Sequence, residues 1–211
     1  MGVCVLVSGG PDSVALLGRA LRQGRATYPL YIRCGLSWEK AELFWLRRFL
    51  KAVHSPHLRP LTIIDMPMRD LYGGHWSLTG RGVPGVRSSD EAVYLPGRNL
   101  LLLTHAAVFS AKRNLKEVWM ATLKGNPFGD ATGRFLKAAE SASGLALGRK
   151  IKFLTPFRTM SKRQVLAGAR GLPLHLSFSC LSPRGLRPCG RCNKCAEMKK
   201  ASSRRGEGPF R

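Results

Sequence analysis

Acid is scarce in this sequence. Among 211 residues there are 12 Asp and Glu against 35 Lys and Arg, a formal charge of +23. Such a balance directs attention to anionic partners and is silent about fold. Long apolar runs are missing too. None approaches the length of a bilayer span, so no membrane role is expected. No basic segment followed by an apolar one opens the chain, so no secretory signal is expected and the reading is cytoplasmic. Internal repeats are absent. Disulfides are not expected either. There are six cysteines, and a chain of this size buries a core without covalent staples.

What is present begins with "VLVSGGPDSVALL", residues 5–17. A short apolar run reads as a buried strand. Gly9 and Gly10 permit a tight turn and a close approach to the backbone. Asp12 or Ser13 can cap the helix that follows. Helix-start amides are unpaired and carry the positive end of the dipole, so strand, glycine turn and helix make a phosphate site. The loop lacks the lysine of a Walker motif. Ser8, Ser13 and the backbone amides can hold a pyrophosphate, and Asp12 can bind Mg²⁺ or orient the anion. A loop that grips the β,γ-pyrophosphate of ATP leaves the α-phosphorus open to attack, which is adenylation chemistry. The nucleotide stretch comprises Leu6, Val7, Ser8, Gly9, Gly10, Pro11, Asp12, Ser13, Val14, Ala15 and Leu16.

Strand candidates are Val3–Val7, Tyr28–Cys34, Leu61–Met66, Glu117–Leu123 and Ile151–Leu154. Helical patterns cover Asp12–Gln23, Trp38–His54, Asn99–Arg113, Thr132–Ser141 and Ser161–Gly171. Alternation of this kind predicts an α/β fold with a doubly wound parallel sheet. Ligands of such sheets bind at the carboxyl ends of the strands. Residues Tyr72–Asp90 are too long and too rich in Gly and Ser for an ordinary connection, and read as a substrate-side loop that is mobile without ligand. The stretch "KKASSRRGEGPFR" reads as a disordered basic tail. The predicted division is an ATP-handling domain over 1–175, a cysteine element over 176–200 and a tail over 201–211.

The cysteine element carries Cys180, Cys189, Cys192 and Cys195 in a C-x8-C-x2-C-x2-C spacing. Four thiolates with C-x2-C pairs suit tetrahedral Zn²⁺ in a closed structural site. A redox dithiol and an iron–sulfur cluster are the alternatives. Cys4 lies inside the first strand and reads as core. Cys34 reads as a small buried hydrophobe, with a nucleophile as the alternative.

The opening loop resembles the pyrophosphate loop of the N-type ATP pyrophosphatases. Adding "YLPGRNLLLLTHAA", "GNPFGDAT", "TPF" with its following Ser-Lys, and the four cysteines, the chain resembles the 7-cyano-7-deazaguanine synthase family. That resemblance implies an ATP-dependent ligase. A carboxylate is adenylated, ammonia displaces AMP to give an amide, and a second activation dehydrates the amide to a nitrile. It also implies Mg²⁺ with ATP, a structural Zn²⁺, a small-molecule carboxylate and ammonia as partners, and a homodimer in many members. The catalytic candidates are Asp12, Ser13, Arg98, Asp130 and Lys162. Arg98 can read an anion or form a structural ion pair. Asp130 can contact a purine-like amine or a metal, or cap the next helix. Lys162 can reach phosphate or stay solvated. One stretch departs from the family pattern. In "RCGLSWEKAEL" Arg33 replaces an acid, and Leu36 and Trp38 replace polar groups at the substrate edge. The alternatives are an adenylating tRNA-modifying enzyme, thiolating in type, and a non-catalytic nucleotide-binding zinc module. Nucleic acid is open as a partner but not favoured, because the cations are scattered along the chain and no dedicated RNA-binding domain is visible.

Overall fold

The computed structural model describes residues 2–202. In chain order the elements are β1 (Val3–Leu6), α1 (Pro11–Arg22), β2 (Thr27–Arg33), α2 (Glu39–Ala52), β3 (Thr62–Asp65), α3 (Arg69–Tyr72), α4 (Trp76–Thr79), α5 (Arg98–Lys112), β4 (Glu117–Trp119), α6 (Gly133–Leu147), β5 (Lys152–Leu154), α7 (Lys162–Gly168) and α8 (Asn193–Ser202). The five strands form one sheet in the order β3-β2-β1-β4-β5, and every neighbouring pair is parallel. The expected α/β sheet is therefore present.

Helices cover both faces, as a parallel sheet requires. Alternation along β1 shows how the sequence divides between them. Val3, Val5 and Val7 join one core with Leu16 and Leu17 of α1, Leu46 and Phe49 of α2, and Val165 of α7. Cys4 and Leu6 join the other with Leu103, Ala106 and Phe109 of α5 and Leu136 of α6. Cys4 is thus core, as read from the sequence. A fully buried Leu or Phe of this kind contributes about 1.5–3 kcal/mol.

Four boundaries differ from expectation for physical reasons. β4 ends at Trp119 rather than Leu123, because the chain turns at Met120–Thr122 and Ala121 becomes a wall of the cleft at the turn after β1. α6 runs on to Leu147, where Gly148 adopts φ 62° and closes the helix. The segment Tyr72–Asp90 is not a plain loop. α4 lies inside it, Ser77 is fully buried, and the Asn193 N–H donates to the Pro84 carbonyl at 2.9 Å. Lys199 to Ser202 belong to α8 rather than to a disordered tail; the remainder of the expected tail, 203–211, lies outside the described residues.

The strand order reverses between β1 and β4. The turn after β1 therefore opens into the crevice at the carboxyl edge, the position where ligands bind in such sheets.

Candidate functional site

The turn after β1 is built for an anion. Gly9 has φ +76°, and a Cβ there would meet the Glu42 carbonyl oxygen at 3.2 Å and Leu46 Cβ at 3.3 Å, so glycine is required on two counts. The Ser8 N–H donates to Ser13 Oγ (3.1 Å), the Gly10 N–H to Ser8 Oγ (3.3 Å), and Ser13 Oγ–H to the Gly10 carbonyl (2.9 Å). Pro11 occupies the first turn of α1, where its missing N–H costs nothing. No side chain caps this helix, which leaves its positive end to a ligand. Leu6 and Val7 line an adjoining cavity, while Val14, Ala15 and Leu16 are buried in the core behind the turn.

One cleft collects Ser8, Gly10, Pro11, Asp12, Ser13, Arg98, Lys162 and Cys180, eight of the sequence candidates, drawn from four regions of the chain. Lys162 is the first residue of α7, inside its Ser161–Gln164 capping box. Its Nζ lies 2.6 Å from Asp12 Oδ2 and 2.9 Å from Glu197 Oε1 on α8, and Lys194 Nζ reaches Glu197 Oε2 at 2.8 Å. Burial pushes the Asp12 carboxyl up, against the pull of Lys162. Burial works against the charge on Lys162, but Asp12 and Glu197 outweigh it and raise its pKa. Asp12 Oδ1 is buried and has no partner. An orphaned carboxylate oxygen beside an anion-binding turn fits a hard cation such as Mg²⁺.

A second cluster lies beside this one. The Tyr31 hydroxyl donates to Glu42 Oε2 at 2.8 Å, and the Cys34 and Gly35 amides donate to Glu39 at 2.6 and 2.9 Å. Burial raises the Glu42 carboxyl to about 7, although Arg98 and the Tyr31 hydrogen bond pull the other way. Burial opposes the charge of Arg98 as well, but Cys34, Glu42 and Tyr31 around it raise its pKa. Arg98 Nε is buried with no partner. Cys34 is fully buried, and burial raises its thiol pKa despite the nearby Arg98. That burial fits the reading of Cys34 as a small buried hydrophobe.

Asp130 does not line the cleft at the glycine turn but borders the pocket next to it. Its carboxylate accepts from the Asn99 backbone N–H (3.0 Å) and from Asn99 Nδ2 (3.1 Å), so it caps α5 from 31 residues away. Thr132, not Asp130, caps α6, by accepting from the Phe135 N–H at 3.2 Å. Asp130 shares that pocket with Arg98, Asn99, Trp38, Trp76, Tyr94 and Phe128. There Trp38 stacks on Trp76 (centroids 5.7 Å apart) and Tyr94 on Phe128 (4.9 Å). The three residues singled out in the sequence at this edge, Arg33, Leu36 and Trp38, take different places. Trp38 furnishes an aromatic wall, Leu36 is buried, and Arg33 pairs through Nη2 with Asp65 Oδ2 (2.7 Å) across the β2–β3 register. That exposed pair contributes little to stability.

The four cysteines converge as their spacing requires. Their sulfurs all lie within 4.8 Å of one another, with Cys189–Cys195 and Cys180–Cys192 each at 4.0 Å. Four sulfurs at about 2.3 Å from one tetrahedral ion would stand roughly 3.8 Å apart, so the cluster is of a size to bind a metal. Backbone amides of Leu181, Cys189 and Arg191 point at the sulfurs at 3.3–3.5 Å, which stabilises thiolate charge.

A family model described as "Queuosine biosynthesis protein QueC" matches residues 2–206. The chain belongs to the QueC family. Among curated relatives, the 7-cyano-7-deazaguanine synthase of Leptospira interrogans is 28% identical over 96% of this chain and 86% of that protein. The 7-cyano-7-deazaguanine synthase 1 of Desulfitobacterium hafniense is 30% identical over 94% and 90%. Two solved structures share the fold. One is a Methanocaldococcus jannaschii chain described as a predicted subunit of tRNA methyltransferase (TM-score 0.52, 14% identity, 80% of this chain and 74% of that one). The other is a 4-thiouridine synthetase in complex with RNA and bound ATP (TM-score 0.53, 15% identity). It matches 99% of this chain, which spans about half of its length, 51%.

Sequence reading did not bring four residues to this cleft that the fold places in or beside it: Tyr31, Glu42, Lys194 and Glu197. Glu42 had a signal, since it sits on the apolar stripe of α2 with Leu46 and Phe49, where a lone acid is out of place. Glu197 lies two residues beyond Cys195, and only the folding of α8 onto Lys162 reveals it.

Proposed function

We propose that this chain is an ATP-dependent C–N ligase that adenylates the carboxylate of 7-carboxy-7-deazaguanine and converts it with ammonia to the nitrile, releasing AMP and pyrophosphate. Membership of the QueC family and the activity for which its relatives are named support the product. The single observation that carries the chemistry is the convergence of the Ser8–Ser13 turn with Asp12, Lys162 and Arg98 in one cleft.

The steps follow from these groups. Amides and hydroxyls of the turn hold the pyrophosphate portion of ATP, with Lys162 neutralising charge beside it. The substrate carboxylate attacks the α-phosphorus, the bond to pyrophosphate breaks, and an acyl adenylate forms. Ammonia then adds to the carbonyl carbon, AMP departs, and Glu42 accepts the surplus proton; a carboxyl near pKa 7 suits a general base. A second adenylation, at the amide oxygen, makes AMP a leaving group again. Loss of AMP and of the two N–H protons gives the nitrile. Arg98 stabilises the charge that develops on oxygen. The aromatic walls at Trp38, Trp76, Tyr94 and Phe128 suit a flat bicyclic base. Mg²⁺ would be held by Asp12, and when bound it offsets triphosphate charge. Zn²⁺ would be held by Cys180, Cys189, Cys192 and Cys195, and it anchors α8, which carries Glu197 and Lys194. Residues 1–175 would form the catalytic unit and 176–200 its metal-held brace, in a cytoplasmic enzyme compatible with a homodimer.

The test is ATP–pyrophosphate exchange against a panel of carboxylic acids, with 7-carboxy-7-deazaguanine among them. Exchange should depend on that acid, and AMP should accumulate with ammonia present. Ser13→Ala should weaken ATP use roughly 10- to 150-fold, the worth of one hydrogen bond to a charged group. Release of ADP and phosphate would overturn the adenylation reading. The buried thiol of Cys34 weighs against a thiolating rival.

A further inference from the structure

The cations are scattered in the sequence, but the fold lines several of them up. Lys40, Phe44, Arg47, Arg48 and Lys51 fall at i, i+4, i+7, i+8 and i+11 of α2, and all are exposed. They follow one outward face for roughly 16 Å of helix. Beside them runs a groove of about 770 Å³ whose far side is Leu186. Leu186 sits at the tip of a tight turn from the cysteine element, closed by reciprocal Arg184–Arg187 backbone hydrogen bonds, and Trp45 Nε1 donates to its carbonyl at 2.7 Å. Arg184 and Arg187 are exposed on that turn. Among the described residues, Lys40, Arg47, Arg48 and Lys51 pair with no carboxylate. Glu39 also lines the groove, with its carboxylate accepting from the Cys34 and Gly35 amides. The Arg48 guanidinium stands 5.7 Å over the Phe44 ring and 5.8 Å over Trp45.

We propose that this groove is a binding surface for single-stranded nucleic acid, separate from the nucleotide cleft. Unpaired cations along a groove follow a phosphate backbone, and an exposed aromatic among them gives a base a face to stack on. The occupant follows from that combination. A membrane-surface helix needs an apolar face of several large residues, and this face has one aromatic among four cations. An acidic peptide would satisfy the charges but would leave Phe44 without a role. The surface makes no use of the adenylation chemistry, so it stands or falls independently of the proposed activity.

The test uses the full chain and short fluorescein-labelled oligouridylate and oligodeoxythymidylate, with anisotropy followed across a salt series. Both strands should bind, with log K falling linearly against log salt; tighter binding of the RNA strand also supports the proposal and adds a contact to the 2′-hydroxyl. The combined Arg47→Ala, Arg48→Ala, Lys51→Ala variant should lose about 2 from the magnitude of that slope, at roughly 0.7 per cation removed. Phe44→Ala should weaken binding about 5- to 150-fold at fixed salt and leave the slope unchanged. Arg47→Ala alone should give about one third of the slope change, and a near-native melting temperature shows that each variant is folded. The proposal fails if neither strand binds, or if the slope is unaltered in the folded triple variant. It also fails if polyglutamate or phosphatidylserine vesicles displace the strands at equal charge concentration in the wild type and in Phe44→Ala alike.

Discussion

The ammonium of Lys162 lies 2.6 Å from Asp12 Oδ2, joining residues 150 positions apart. Asp12 belongs to the anion-binding turn and Lys162 to the first turn of α7. Because both side chains are mostly withdrawn from water, removal of one partner leaves the other uncompensated. Lys162→Met should lower stability by about 2 kcal/mol, a buried-pair cost discounted for the pair's partial exposure. Adding Asp12→Asn should recover part of that loss, and urea unfolding of the two single variants and the double variant measures the coupling. Additive losses would show that the pair is energetically idle.

Glu42 gives a pH signature. Its carboxyl ionises near 4.5 when unfolded and at about 7 when folded. Below pH 4.5 both states are protonated and the burial costs nothing. As pH rises from 4.5 to 7 the unfolded state ionises first, so stability falls across that window and the loss is complete above 7. Glu42→Gln should therefore be more stable than wild type by up to about 3 kcal/mol at neutral pH, and equal to it near pH 4. In turnover the sign reverses. Wild-type activity should rise through pH 7 as Glu42 ionises, and Glu42→Gln should lose roughly 10²- to 10⁴-fold and that limb of the profile. An unchanged limb would remove Glu42 from proton transfer.

Metal analysis should find one zinc per chain. Structural zinc contributes on the order of 10 kcal/mol to folding. Serine at Cys180, Cys189, Cys192 or Cys195 should release it and give insoluble or partly unfolded protein. Iron with visible absorbance, or no metal in soluble native protein, would contradict this assignment.

The Trp38–Trp76 stack predicts a split between the two substrates. Trp76→Ala removes one ring of the pair, and aromatic pairs of this kind are worth about 0.5–1.5 kcal/mol beyond burial. The KM for the acid should rise about 2- to 12-fold while the KM for ATP stays put. An equal rise in both would place Trp76 in general packing rather than in the acceptor pocket.

The sheet was legible from the sequence because each strand is a short apolar run beside an amphipathic helix. Five strands and five long helical segments lie where the pattern puts them, within a few residues. The turn at Ser8–Ser13 and the four cysteines were legible because their chemistry depends on local spacing. What was not legible depends on distance in the chain. From its position Asp130 can contact a purine-like amine or a metal, or cap α6; of the helices it is α5 that it caps. Glu197 and Lys162 show no relation until α8 packs. Tyr72–Asp90 reads as a free loop because glycine and serine carry no packing signal, and its anchors, Asn193 and the stack on Trp38, lie elsewhere. The basic stripe on α2 lies within the helix predicted over Trp38–His54, where positions 40, 44, 47, 48 and 51 share a face, and only its groove with Leu186 depends on distance in the chain.

The reach of Lys162 to Glu197 also sets an order of events during synthesis. β1 is made early but lies in the middle of the sheet, and its β4 neighbour is more than a hundred residues away. Pairings of such long sequence separation form slowly. A nascent chain can complete neither the sheet before β4 emerges nor the Lys162 clamp before α8 does. Until then the glycine turn would exist without the groups that surround it. A half-made chain therefore presents the glycine turn without Lys162 and Glu197 beside it, and the cleft that collects them exists only once the chain is nearly complete.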